Sequence, residues 1–208
     1  MILEDKTLGE DVKVSRVNKR NLVKENIPSP HYRCSAFNVT YNEVNVKLNG
    51  NYGVIFRAYD EGIAYRFYTF VKSPIVIKDE IVRMNFLKDY ETYMAYSTVK
   101  PGKDQYAMAF QNLYTKTPFK GIDTNQIAFL PITVDCEDGL KMTLLESDLE
   151  GYPGMFIKGD GKNCTLQGTF AKYPTEMKSF PPRAMKRVMN RADYIAKTEG
   201  TRNYPWRI

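Results

Sequence analysis

Glu146, Asp148 and Glu150 fall at alternate positions within the run Leu-Leu-Glu-Ser-Asp-Leu-Glu-Gly-Tyr-Pro-Gly-Met, residues 144–155. In an extended chain, all three carboxylates project from the same face. Tyr152-Pro153-Gly154 then turns the chain, because proline presets φ and glycine tolerates the conformations that follow. Carboxylates held at a strand end beside a rigid turn suit a hard cation or a hydroxyl-rich ligand. The same pattern also describes a solvated strand end closed by an ordinary hairpin, since carboxylates are usually exposed. Spacing by itself leaves both readings open.

Other chemistry-bearing residues are sparse. The single histidine, His31, has no second histidine or nucleophile beside it and is a poor catalytic candidate. Cys34, Cys136 and Cys164 are odd in number and lack CxxC spacing, which argues against a zinc site and a full disulfide framework. A net charge of +6 and a pI near 9.0 raise the question of nucleic acid. However, the basic residues are scattered, densest over residues 183–191, with no run of five, so no nucleic-acid partner is expected. No run of about twenty apolar residues offers a membrane span, and no signal peptide opens the chain.

The elements that must position the carboxylates read as strands. The chain has 208 residues, 43% hydrophobic and 13% aromatic with 15 tyrosines, a profile that suits one folded β-rich domain. Phe37, Val39 and Tyr41 alternate with polar residues, as do Val44, Val46 and Leu48 before the turn Asn49-Gly50-Asn51. Residues 54–59 and 63–71 form a hairpin through Asp60-Glu61-Gly62. Arg57 and Arg66 each lie on one face of their strand, for cross-strand packing of their stems or for a ligand. Two short strands with a turn are expected over residues 75–86. Tyr90, Tyr93 and Tyr96 suit sugar stacking or a domain seam equally. Residues 107–114 lead into a turn-rich stretch over 115–123, with Pro118 and Gly121, and further strands are expected over 127–135 and 140–146, the last ending on Glu146 and paired in a hairpin with 127–135. Pro131 places 127–135 at a sheet edge or on a bulge. Residues 1–30 suggest a short strand near 12–17 and an irregular link to His31. Residues 172–180 read as a loop. Residues 182–193, with Ala184, Val188, Met189 and Ala192, read as an amphipathic helix.

Three stretches carry a family resemblance. They are residues 56–67 (FRAYDEGIAYRF), the Glu146 to Met155 run itself, and residues 193–207 (DYIAKTEGTRNYPWR). In that order they resemble the N-terminal domain of glycoside hydrolase family 97, from about Leu8 to the last residue. The resemblance implies an all-β, mostly antiparallel, galactose-mutarotase-like β-supersandwich with few short helices, residues 1–208 forming a single domain. In the family, a catalytic (β/α)8 barrel follows, where this chain stops at Ile208, and strands precede the equivalent of Leu8-Gly9. The chain is therefore expected to be a truncated or shortened product.

The implied function is the N-terminal module of a calcium-dependent, exo-acting α-glycosidase of α-glucosidase or α-galactosidase type. No catalytic residue is expected in this chain, because the family takes its acid and its base or nucleophile from the barrel, so the isolated chain should be inactive. Glu146 matches the family's calcium-ligand glutamate. Asp148, as a turn-capping group, and Tyr152 are the substrate-side candidates; Arg202 and Trp206 are candidates for the interface with the barrel. The implied partners are an α-glucoside or α-galactoside and the barrel, with self-association of the fragment. The parent enzyme is expected in the bacterial periplasm or at the cell surface. The alternative is a stand-alone carbohydrate-binding β-sandwich protein.

Overall fold

The computed structural model describes residues 1–29, 31–97, 103–107, 111–182 and 185–208. Strand accounts for 57% and helix for 3%, which makes the chain all-β as expected. The strand pairings described are antiparallel. The chain divides into two compact units: Met1–Leu8 with Ile75–Thr198, and Gly9–Pro74 with Glu199–Ile208.

The first unit is built on a sheet in the order Arg83–Asn85, Thr165–Phe170, Met155–Gly159, Ala128–Asp135, Glu91–Tyr96, Thr115–Pro118, with Lys141–Leu144 also pairing Ala128–Asp135. Alternation sends Ile132, Val134, Ile157 and Leu166 inward, and each is fully buried together with Met94. Pro131 sits where the pairing of Ala128–Asp135 with Glu91–Tyr96 shifts register, between Phe129 and Thr133. The bulge reading of this proline holds and the edge reading does not, since partners flank the strand on both sides. Ile2–Leu3, Ile75–Asp79 and Ala196–Thr198 make a smaller sheet whose centre, Ile77, is fully buried.

In the second unit the strands run Trp206–Arg207, Gly62–Phe70, Tyr52–Tyr59, Ala36–Leu48, Val14–Pro28, with Thr201–Asn203 also pairing Gly62–Phe70. Asp60 and Glu61 make the tight turn expected between Tyr59 and Gly62. Gly50 and Asn51 carry the positive φ values, 98° and 63°, of the other turn.

Three expectations are corrected. The short strand near 12–17 is instead the 15-residue strand Val14–Pro28, paired along its length with Ala36–Leu48. Both of its faces are largely exposed, so it carries no one-sided apolar alternation for a sequence reading to detect. The loop at 172–180 and the helix at 182–193 are the two arms of a ribbon, Pro174–Phe180 paired with Met185–Arg191. Val188 faces Met177 across that ribbon, and short apolar runs do not distinguish helix from strand by spacing. The stretch 115–123, expected to be turn-rich, opens with the strand Thr115–Pro118 before the short 3-10 turn Phe119–Gly121, and residues 108–110, Ala184 and Pro30 lie outside the described residues.

Candidate functional site

The strand Lys141–Leu144 ends two residues before the expected end at Glu146, and Leu145 separates it from the two-residue strand Glu146–Ser147. The expected single strand running to Glu146 is therefore interrupted. Extended backbone stops at Ser147, because Asp148 takes a left-handed φ of 63°. The three acidic side chains consequently do not share a strand face. Asp148 and Glu150 are exposed on the turn, while Glu146 is half-buried at its root.

Glu146 is held by the chain that returns from the turn. The Met155 N–H donates to both of its carboxylate oxygens, at 2.9 and 3.0 Å. Gly154 passes so close that a Cβ there would lie 3.2 Å from Oε1. The turn closes through the Tyr152 N–H, which donates to the Leu149 carbonyl at 3.0 Å, with Gly151 in the left-handed region at φ 64°.

Tyr152 roots this turn in the core of its unit. Its side chain is buried, with the ring edge-on to Phe170 at 6.4 Å between centroids. Its hydroxyl donates to Glu80 Oε2 at 3.0 Å. Glu80 is itself only 4% exposed, so the phenol supplies a donor to a carboxylate that burial would otherwise penalise. Glu80 was missed from sequence: it lies in the charged centre of residues 75–86, 72 positions from its partner. Nothing local announces that pairing.

Carboxylate oxygens have about four lone-pair sites between them. A calcium ion takes six to eight oxygens. A single carboxylate supplies at most two of them. Among the described residues, no group of three or more His, Cys, Asp or Glu side chains is arranged to hold a metal.

The other two site candidates belong to the second unit. Register places Arg57 opposite Ala64 and Ile55 opposite Arg66, so both arginines share one sheet face. Trp206, half-buried, lies between them, with guanidinium carbons 4.9 Å (Arg57) and 4.8 Å (Arg66) from its ring centroid. Arg57 also donates to Glu43 at 2.9 Å and lies 4.3 Å from the Tyr41 ring centroid. Arg66 Nε donates to the Tyr204 carbonyl at 2.7 Å. These contacts make the arginines packing and pairing groups that fix the 204–207 segment on its sheet. Arg202 Nε donates to the Asn203 carbonyl at 3.0 Å, and its guanidinium lies over the Tyr204 ring.

The whole chain, residues 1–208, matches the family model described as Glycosyl-hydrolase 97 N-terminal. It is 36% identical over 215 aligned residues to a protein described as retaining alpha-galactosidase from Bacteroides thetaiotaomicron, covering 100% of this chain and 32% of that protein. Its fold is similar to a glycoside hydrolase family 97 enzyme from Pseudoalteromonas sp. strain K8. The structure of that enzyme with acarbose superposes at a TM-score of 0.69 and the one with panose at 0.70, each at 18% identity. Both alignments cover 94% of this chain and 27% of the enzyme. The chain thus spans about a third or less of the length of these relatives.

Proposed function

This chain belongs to the glycosyl-hydrolase 97 N-terminal family, and on that premise we propose that it lends Glu146 to a calcium ion in a glycosidase whose catalytic barrel lies outside residues 1–208. The observation that carries this reading is the hold on Glu146: both oxygens accept the Met155 N–H, and Gly154 packs against the same carboxylate. A carboxylate fixed before the ion arrives loses little freedom on binding it. When bound, calcium supplies positive charge beside the sugar. The part of this chain is to hold and orient one oxygen ligand, with Tyr152 and Glu80 bracing the turn from below.

Hydrolysis of a glycoside requires two carboxyl groups flanking the scissile bond, and in this proposal the barrel contributes both. The 36% identity to a retaining alpha-galactosidase supports an α-galactoside substrate, with an α-glucoside the related choice. Asp148 and Tyr152 belong to the sugar-side turn, Tyr152 as its buried root rather than an exposed stacking surface. Arg202 and Trp206 secure the segment that leads into the barrel. We place the parent enzyme in the periplasm or at the cell surface. Among the described residues, no helix is long and apolar enough to cross a membrane.

Two measurements test this. The purified 208-residue chain is expected to leave p-nitrophenyl α-galactoside and α-glucoside unhydrolysed; turnover that survives rigorous purification overturns the assignment of catalysis to the barrel. Calorimetric calcium titration of the barrel-containing protein should show high affinity, lowered about a hundredfold or more by Glu146→Gln through loss of one charged ligand. Unchanged affinity in that variant removes Glu146 from the metal site.

A further inference from the structure

The second unit carries an open cleft of about 530 Å³, lined by Lys47, Tyr68, Phe70, Thr201, Arg202 and Asn203, with Thr69 at its floor. Its origin lies in one glycine. Across the sheet, Lys47, Gly53, Tyr68 and Asn203 form one register row. Gly53 has no side chain to stand between Lys47 and Tyr68, so the tyrosine ring lies down over it. A Cβ at Gly53 would overlap both the Tyr68 hydroxyl and the Val46 carbonyl oxygen. The Tyr68 hydroxyl reaches Asn45 Oδ1, donating at 2.8 Å, which pins the ring in that pose.

Phe70, two residues on and on the same face, stacks beside it, with centroids 6.1 Å apart and planes 27° apart. Two rings inclined by only 27° present neighbouring apolar surface to the cleft, on the scale of a pyranose face. Lys47 Nζ lies over the Phe70 ring at 4.5 Å, and Thr201 and Asn203 supply a hydroxyl and an amide at the margin. Among the described residues no Asp or Glu lines the cleft, and Lys47 brings a cationic side chain to it.

We propose that this cleft is a saccharide-binding site selective for a sugar that carries an anionic group, a carboxylate or a sulfate. The sugar's apolar C–H face packs on Tyr68 and Phe70. Its hydroxyls bond Asn203 and Thr201, and its anion pairs with Lys47. This site is independent of Glu146 and of calcium.

The test is calorimetric or NMR titration of the full chain with digalacturonic acid, galactose 6-sulfate and, as the uncharged comparator, galactobiose. At least one anionic ligand is expected to bind saturably, on the order of 1 mM, and about tenfold or more tighter than galactobiose. The tighter of the two identifies the anionic group. Lys47 is exposed, so Lys47→Ala should fold normally and lower anionic affinity about tenfold, the loss of one charge-assisted contact. A second variant, Asn203→Asp, should lower the affinity of the anionic ligands by a larger factor than that of galactobiose. Absence of saturation by either anionic sugar overturns the site. Equal binding of galactobiose, or affinities unchanged in both variants, overturns its anionic selectivity.

Discussion

Replacing Tyr152 with phenylalanine isolates a single atom in the support of Glu146. The ring and its edge-on contact with Phe170 remain, and the O–H donated at 3.0 Å to Glu80 is removed. Glu80 is 4% exposed and Tyr152 7%, so water does not readily take the missing donor's place. A hydrogen bond to a buried charged acceptor contributes about 1.5–3 kcal/mol. At about 1.4 kcal/mol per decade, local opening of the turn should become roughly ten- to a hundredfold more frequent. The Met155 amide reports it, since that N–H is protected only while it donates to Glu146. Hydrogen exchange at this amide should therefore quicken in Tyr152→Phe, with the urea midpoint lowered. Glu80→Gln, which keeps the shape and removes the charge, should show a smaller change, and the double variant should be less than additive. Wild-type exchange at Met155 in Tyr152→Phe would refute the claim that the buried pair braces the turn.

Other consequences can be measured separately. Burial, followed by its hydrogen bond to Glu25, pushes the Tyr41 phenol up to about 12. The neutral phenol is thus favoured in the fold, and its contribution, on the order of 2 kcal/mol, is present below about pH 10 and lost as pH rises towards 12. Urea midpoints of Tyr41→Phe should fall less steeply from pH 9 to 11 than wild type, and parallel slopes would contradict this. Gly53→Ala should destabilise by about 3 kcal/mol through overpacking against Tyr68 and the Val46 carbonyl, and a urea midpoint equal to wild type would contradict the described packing. Backbone N–H groups of Lys162 and Asn163 hold the Asp160 carboxyl below its usual range. Its ¹³C titration midpoint should therefore lie below that of an unstructured aspartate, and the turn it caps should loosen only as pH falls through that midpoint.

The fold class was legible wherever one sheet face is more buried than the other. The hairpin through Asp60 and Glu61 shows its period in the sequence because that asymmetry shaped it, whereas in Ala36–Leu48 the apolar series passes from one face (Phe37, Val39, Tyr41) to the other (Val44, Val46, Leu48). Val14–Pro28 lacks the asymmetry and was read too short. The ribbon Pro174–Phe180 with Met185–Arg191 was misread because cross-strand partners, rather than local spacing, decide its state. At the candidate site, Tyr-Pro-Gly signalled the turn correctly. A left-handed Asp148 within an apparent alternation could not be anticipated, since aspartate adopts that region only where the local backbone requires it. Glu80 and the cation–π stacking about Trp206 depend on contacts between distant segments, to which composition and periodicity are blind.

Neither unit is drawn from a continuous stretch of chain. The strand Gly62–Phe70 receives Thr201–Asn203 and Trp206–Arg207 as neighbours, and Arg66 meets the carbonyl of a residue 138 positions later. During synthesis, that strand must therefore spend the translation of the intervening segment with one flank unmatched. Closing so long a loop adds only a few kcal/mol of entropy cost but delays the step that completes the sheet. A nascent chain stalled before residue 199 should therefore be a strong client for chaperones, whereas one released whole should not.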